Sequence, residues 1–369
     1  ALNRMIQDGM NSVDFIAINT DAQDLENNNS QIKLQIGKEL TKGLGAGANS
    51  EIGKHAVEEN KDIIINELGQ ADMIFITAGM GGGTGTGAAP AIAKIAREIG
   101  ALTVGIVTKP FAFEGPIRKK RALDGIKEMK KNCDTLLVIP NETLLEISSE
   151  DTTVTESFKL ADSILNQATK GISDLINRPG LINLDFADVR TIMKNMGDAI
   201  MGSGIATGEE KATFAAQQAI NSPLLQNASI QGAKGLLVNV TGPKDMTMRE
   251  LTSASDIIYK EAGEDANVIL GCVIDNELTD EIRITVIATG LNSESHPEFN
   301  DPYADEAIKN KYLLHSTSID EENVDEKITI QETSCNTDDD KKENIIKNEN
   351  IMKFGDDLDI PTFLRNRKI

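Results

Sequence analysis

The sequence predicts an α/β fold built on a mostly parallel sheet, followed by a second, α+β domain. Three observations carry that prediction. Short apolar runs alternate with helical patterns through roughly the first 150 residues, the rhythm of βαβ units with helices on both faces of a sheet. One of those runs, Met73-Ile74-Phe75-Ile76-Thr77, leads into Gly81-Gly82-Gly83-Thr84-Gly85-Thr86-Gly87 and then into a helical pattern over 88–99. A long amphipathic stretch that stops at Pro179-Gly180 separates this half from a second set of helices and strands.

In order along the chain, apolar runs predict strands at 13–18, 32–36, 73–77, 102–107 and 135–139, with helices at 88–99 and 117–132. Parallel sheets bind ligands at the carboxyl ends of their strands. Four polar segments occupy that edge: Asn19-Thr20-Asp21-Ala22-Gln23, residues 79–87, residues 108–115, and Pro140-Asn141. The long helix, 155–177, has apolar positions at Phe158, Ala161, Ile164, Leu165, Ala168 and Ile172. After it come helices near 188–196 and 247–262 and strands at 235–240, 267–274 and 282–289. The expected divisions are therefore 1–154, 155–180 and 181–291. From Asn292 to Lys353 there are sixteen acidic and seven basic residues and few aliphatic clusters, a composition that predicts a disordered acidic linker over 292–353. Apolar character returns within 354–369, from Asp359 through Ile360, Pro361, Phe363 and Leu364 to Arg365. A short apolar peptide on such a tether predicts docking onto a partner.

The 369-residue chain carries a net charge of −21, which argues against nucleic acid as a main partner because neutralising phosphates takes basic patches. Cys133, Cys272 and Cys335 form no C-x-x-C and no even framework, as expected in a reducing cytoplasm. His55, His296 and His315 are too scattered for a zinc cluster or a His-based triad, so no protein-held metal is expected. No apolar run approaches the roughly 20 residues that span a bilayer, so direct membrane insertion is not expected either.

The glycine run carries the chemistry. A strand, a glycine run and a helix start let backbone N–H groups converge on phosphate oxygens, reinforced by the positive end of the helix dipole. Thr84 and Thr86 add hydroxyls. No lysine stands where a Walker A requires one, and the loose dinucleotide match at Gly83, Gly85 and Ala88 lacks its acidic companion, the next strand leading into Thr108-Lys109. A mononucleotide phosphate loop of a less common kind is the expectation, with the six glycines of 79–87 justified by the ligand. Hydrolysis also needs a group to orient water. Asp185 and Asp188 have the spacing to face one end of a helix; plain capping explains the same pair. Glu114 and Arg118 fit either a hydroxyl-and-phosphate pair or an i,i+4 surface ion pair. Asp162 is placed to accept the N–H pair that guanine, unlike adenine, presents. Lys119, Lys120 and Arg121 read as a solvated helix face.

Together these segments resemble the tubulin/FtsZ family of GTPases. The resemblance lies in Thr77-Ala78-Gly79-Met80 with the glycine run, Asn19 to Gln23, Gly43-Leu44-Gly45-Ala46-Gly47-Ala48-Asn49, residues 108–115, and Arg178-Pro179-Gly180 through Arg190. It extends from Ala1 to about Gly290 and again over Asp359 to Arg365. It implies a Rossmann-like GTPase domain, a central helix and a C-terminal GTPase-activating domain. It further implies that Gly81, Gly82, Gly83, Thr84, Gly85 and Thr86 hold the phosphates of GTP or GDP with Mg²⁺. Ala46 and Gly47 would face the γ-phosphate end, Glu114 and Arg118 would contact ribose and phosphate, Asp162 would read guanine, and Asn141 and Phe158 would line the same side. Asn183, Asp185 and Asp188 would reach into the site of the next subunit, so that head-to-tail polymerisation switches hydrolysis on. The implied setting is the cytoplasm at a mid-cell division ring, with the 359–365 peptide binding membrane-tethering and regulatory division proteins. Relatives of this kind begin with a strand and a glycine-rich turn before the helix equivalent to residues 1–7. Neither is in this sequence, which is expected to be a fragment of a longer, competent chain.

Overall fold

A computed structural model of the chain describes residues 1–10, 13–147, 151–177, 180–182, 184–225, 230–263, 266–276 and 278–291. The expected linker, the C-terminal peptide and Asn183 lie outside these residues.

The chain opens with α1 (Leu2–Gln7), β1 (Ile16–Asn19), α2 (Ala22–Glu26), β2 (Ile32–Gln35), α3 (Lys38–Thr41), α4 (Ser50–Glu59) and α5 (Lys61–Leu68). Polar caps decide several of these starts. The Asp21 carboxylate accepts from the N–H groups of Gln23 and Asp24, and Asn49 Oδ1 accepts from that of Glu51, satisfying first-turn donors of α2 and α4. Then follow β3 (Met73–Gly79), α6 (Thr84–Glu98), β4 (Leu102–Lys109), a 3₁₀ turn at Ala112–Glu114, α7 (Pro116–Asn132), β5 (Thr135–Pro140) and α8 (Asn141–Ile147). The long helix is α9 (Val154–Asn177), after which come α10 (Phe186–Met193), β6 (Gly197–Thr207), α11 (Lys211–Ile220), β7 (Gly235–Gly242), α12 (Met248–Ala262), β8 (Asn267–Ile274) and β9 (Glu281–Thr289).

Among the described residues seven strands form one sheet in the order β3-β4-β5-β6-β9-β7-β8, and β1 pairs with β2 in a separate parallel pair. Within the sheet β3, β4, β5 and β6 run parallel, and β9 is antiparallel to both its neighbours. The junction between the two halves is narrow: Thr135, Leu136 and Leu137 of β5 meet Gly197, Asp198 and Ala199 of β6. β4 is buried from Leu102 to Thr108, as a strand covered on both faces should be. The apolar stripe of α9, including Ala161, Ile164, Leu165, Ala168 and Ile172, packs in one core with Val104 and Ile106 of β4, Val189 and Ile192 of α10, and Leu237 of β7. The long helix is thus the common wall of the two halves.

β6 and α11 have no counterpart in the sequence reading, and the two explain each other. A methyl at Gly202 would lie 2.0 Å from the carbonyl oxygen of Ala219, and one at Gly204 would lie 2.1 Å from that of Ala215. The glycines that make β6 a poor strand candidate are what allow α11 to lie on it. Elsewhere the boundaries move by a few residues. The 13–18 strand begins at Ile16, the 188–196 helix is Phe186–Met193, and the 88–99 helix begins at Thr84.

Candidate functional site

The carboxyl ends of β3, β4 and β5 lead into the glycine run, the 111–118 turn and α8. Gly81 has φ +104°, a conformation that favours glycine, and its N–H donates to Thr86 Oγ1 at 2.8 Å. A methyl at Gly81 would lie 2.7 Å from Arg118 Cγ, so Arg118 rests directly on the loop. Gly83 precedes α6 and offers no side-chain cap; the first bond within the helix runs from the Gly87 N–H to the Gly83 carbonyl at 3.1 Å. The N–H groups at 84–86 therefore have no carbonyl one turn back, and the dipole of a 15-residue helix stands behind them. Beside them Gly82 has open space, with nothing within 4 Å of where its methyl would be.

The six glycines do not all serve that end. Gly85 and Gly87 lie within α6, where a methyl would come 2.4 Å from the Gly79 carbonyl and 1.8 Å from the Ser50 carbonyl respectively. Gly53 of α4 returns the fit, its methyl position lying 2.5 Å from the Gly83 carbonyl. Part of the run is glycine because α4 and α6 cross at backbone contact, which corrects the assignment of the whole run to a ligand.

Loop 43–49 forms the facing wall. A methyl at Gly83 would lie 2.8 Å from Ala46 Cβ and 2.9 Å from the Asn49 nitrogen, and Ala46 is buried. Gly47, at φ +56°, has nothing within 4 Å of its methyl position. Thr20 joins the two walls. Its hydroxyl lies 2.6 Å from Thr84 Oγ1, while its carbonyl accepts from Thr41 Oγ1 at 3.1 Å and from the Gly45 N–H at 3.3 Å. The sequence pointed to the segment and not to this residue, because a contact across 64 positions leaves no local pattern.

Glu114 and Arg118 form the i,i+4 pair, Nε to Oε2 at 2.9 Å, and the other Glu114 oxygen accepts from the Phe111 N–H at 2.9 Å. The ion-pair alternative is therefore realised in the free chain, at the loop's edge. Phe158 of α9 meets buried Phe111 edge-on at 5.3 Å, bringing the long helix against the same turn. One turn further along α9, the half-exposed Asp162 carboxylate lies 3.0 Å from the amino group of Ala1. Asn141 is buried at the start of α8, directly after β5, and its Oδ1 has no hydrogen-bond partner among the described residues. No group of three or more His, Cys, Asp and Glu that could hold a metal ion occurs among them either.

The carboxylate pair lies elsewhere. Asp185 is the N-cap of α10, its Oδ1 accepting the Asp188 N–H at 2.8 Å, and both residues are exposed. Arg190 donates to the Gly100 carbonyl ahead of β4, and Thr135 at the start of β5 donates to the Met193 carbonyl. This helix thus lies against the amino ends of β4 and β5, which run parallel with β3, the strand whose carboxyl end carries the glycine run. From Leu102 to Thr108, whose carbonyl accepts the Met80 N–H, β4 climbs roughly 20 Å. Within one molecule the two halves do not meet. Asn183, expected beside the pair, is outside the described residues.

Residues 1–149 match the family model described as Tubulin/FtsZ family, GTPase domain, and residues 197–292 match the FtsZ family, C-terminal domain. An empty FtsZ dimer of M. jannaschii is 43% identical, with a TM-score of 0.76 over 79% of this chain and 84% of that one. A point mutant of M. jannaschii FtsZ is also 43% identical, with a TM-score of 0.75 over 79% of this chain and 87% of that one. CetZ2 of Haloferax volcanii, in a GTPγS-bound protofilament, shares the fold at 21% identity and a TM-score of 0.69, over 84% of this chain and 95% of that one. A glycine loop with no lysine, set on the carboxyl edge of a parallel sheet, and the two matched domains lead to the same conclusion: the chain belongs to the tubulin/FtsZ family and is a GTPase.

Proposed function

We propose that this GTPase polymerises head to tail and that each active site is completed by the next subunit, the filaments forming a ring at the division site in the cytoplasm. The observation that carries this reading is the separation of roughly one strand length between the glycine run and the Asp185–Asp188 pair. A carboxylate on the amino edge of the sheet does not reach a phosphate on the carboxyl edge of its own chain. It reaches one in a copy stacked in the same orientation. Such a heterologous contact repeats without closing and generates a filament. The dimer of M. jannaschii FtsZ supports self-association of the kind this reading needs.

The roles follow from position. Backbone N–H groups at Gly82, Gly83, Thr84, Gly85 and Thr86 hold the phosphates, Gly81 shapes the turn with its own N–H bonded to Thr86 Oγ1, and Ala46 and Gly47 close over the γ end. Arg118 supplies charge beside the loop, and Glu114, once its pair loosens, accepts from ribose hydroxyls. Asp162 reads guanine, Phe158 supports that side, and the unpartnered Asn141 oxygen takes a donor from the nucleotide. Asp185 and Asp188, with Asn183, orient and polarise the attacking water in the neighbour's site. Mg²⁺ usually keeps several waters and binds through substrate phosphates, so it would need no cage of carboxylates here, and the Thr84 hydroxyl at the start of α6 is the side-chain oxygen beside it. When bound it would neutralise charge building up on the phosphate oxygens. Residues 359–365 dock onto membrane-tethering and regulatory division proteins; among the described residues no helix is long and apolar enough to cross a membrane.

The test is complementation between two defective chains. Asp188→Ala should bind GTP and hydrolyse it slowly. Gly83→Val, whose side chain would collide with Ala46 and Asn49, should fail to hold GTP while keeping Asp188. A mixture should recover part of the lost turnover. Equal turnover per subunit in dilute monomer and in filament would overturn the reading.

A further inference from the structure

We infer that Thr20 is a positioning residue for the phosphate loop: its hydroxyl orients the hydroxyl of Thr84, and its carbonyl holds the facing 43–49 loop in register with it. The inference rests on the proposal that the glycine run holds GTP.

Thr20 has no accessible surface, and Thr84 Oγ1, at 2.6 Å, lies within hydrogen-bond distance of its hydroxyl. Only one proton lies between the two oxygens. If Thr84 donates, its proton is used up and it presents only lone pairs to a phosphate, which needs donors. If Thr20 donates, the Thr84 proton is free to point outward, and the bond received makes Thr84 a stronger donor. An anion at the start of α6 selects the second arrangement. With Thr20 buried, the direction of this bond decides whether Thr84 helps or hinders binding.

The carbonyl of the same residue accepts from Thr41 Oγ1 and from the Gly45 N–H, and the Thr41 hydroxyl also lies 3.0 Å from the Gly37 carbonyl. Its N–H donates to Asn19 Oδ1 at 2.8 Å, leaving the backbone little freedom to turn. Gly83 meanwhile leaves no room for a methyl against Ala46 and Asn49. The separation between the two walls is therefore set at one buried threonine, and the loop expected at the γ end cannot drift without carrying Thr20 and the Thr84 hydroxyl with it.

The test is a double-mutant cycle on the full chain with GTP as the probe. Thr20→Val keeps the shape and removes the hydroxyl; it should weaken GTP binding about two- to tenfold, the worth of one hydrogen bond, with kcat at saturating GTP little changed. Thr20→Ser should restore most of the affinity. In a Thr84→Ala background Thr20→Val should add little, because the bond it breaks is already gone. A purely structural role would lower the melting temperature in all backgrounds and leave affinity measured well below melting unchanged. The inference falls if Thr20→Val binds GTP as wild type does, or if its effect persists undiminished in Thr84→Ala. If wild type itself fails to bind GTP, the functional reading falls first.

Discussion

Gly87→Ala separates packing from ligand binding within the glycine run. The added methyl would lie 1.8 Å from the Ser50 carbonyl oxygen and 2.9 Å from the Lys54 nitrogen, both of them backbone atoms that cannot swing aside. Restoring ordinary contact requires α4 and α6 to part by about 1.5 Å. Overpacking of this kind costs about 1–3 kcal/mol and sometimes more, against about 1 kcal/mol regained from helix propensity. At the upper end of that cost the net loss is about 2 kcal/mol, which lowers the melting temperature of a folded part of roughly 290 residues by about 3 °C. Because α4 begins at Ser50, beside the Asn49 that touches Gly83, nucleotide affinity should fall with it. Gly82→Ala is the control: its methyl meets nothing, so stability should hold and any loss of GTP affinity reports ligand occupying that space. Thermal melts and fluorescent-nucleotide titration read both quantities. A Gly87→Ala chain as stable as wild type would refute the argument that helix crossing requires this glycine.

Three further outcomes are expected. Asp185→Asn retains a good N-cap, so α10 and the melting temperature should be preserved while GTP turnover in assembled protein falls at least tenfold; full activity would reduce Asp185 to a cap. Burial, with the Asp134 charge adding to it, pushes the Cys133 thiol up to about 12. The folded state thus holds that proton where the unfolded chain releases it, and stability should decline as pH rises from about 9 towards 12. Cys133→Ala should flatten that decline in alkaline unfolding curves, and an unchanged slope would assign it to other groups. Deleting residues 359–369 should abolish co-sedimentation with tethering proteins and leave GTPase activity intact; a parallel loss of activity would refute the docking role.

Much of the site edge was legible because its signals are local. The glycine run follows a strand, Asp185 stands three residues before Asp188, and Glu114 stands four before Arg118, so strand-to-helix punctuation and helix spacing reveal them. What escaped depends on contacts distant in sequence. β6 reads as a glycine-broken segment until α11 is laid on Gly202 and Gly204. α4 (Ser50–Glu59) is too polar and α5 (Lys61–Leu68) too short to stand out, yet α4 explains Gly87. Thr20, buried opposite Thr84, belongs to a bond that no periodicity announces. Nor does any spacing within one chain reveal on which edge of the sheet Asp188 lies; the Arg190–Gly100 bond does.

The position of α10 across the sheet from the glycine loop also sets a rule of counting. In a stack joined through these two surfaces, complete sites are one fewer than the subunits. One terminal subunit would keep a nucleotide that nothing attacks, and the other would present carboxylates with nothing to act on. The shortest oligomers would waste the largest fraction of their sites, so turnover per subunit should climb with length and then level off. The ends of such a stack would be chemically unlike, one holding unspent fuel and the other not, which would give it a direction in time as well as in space.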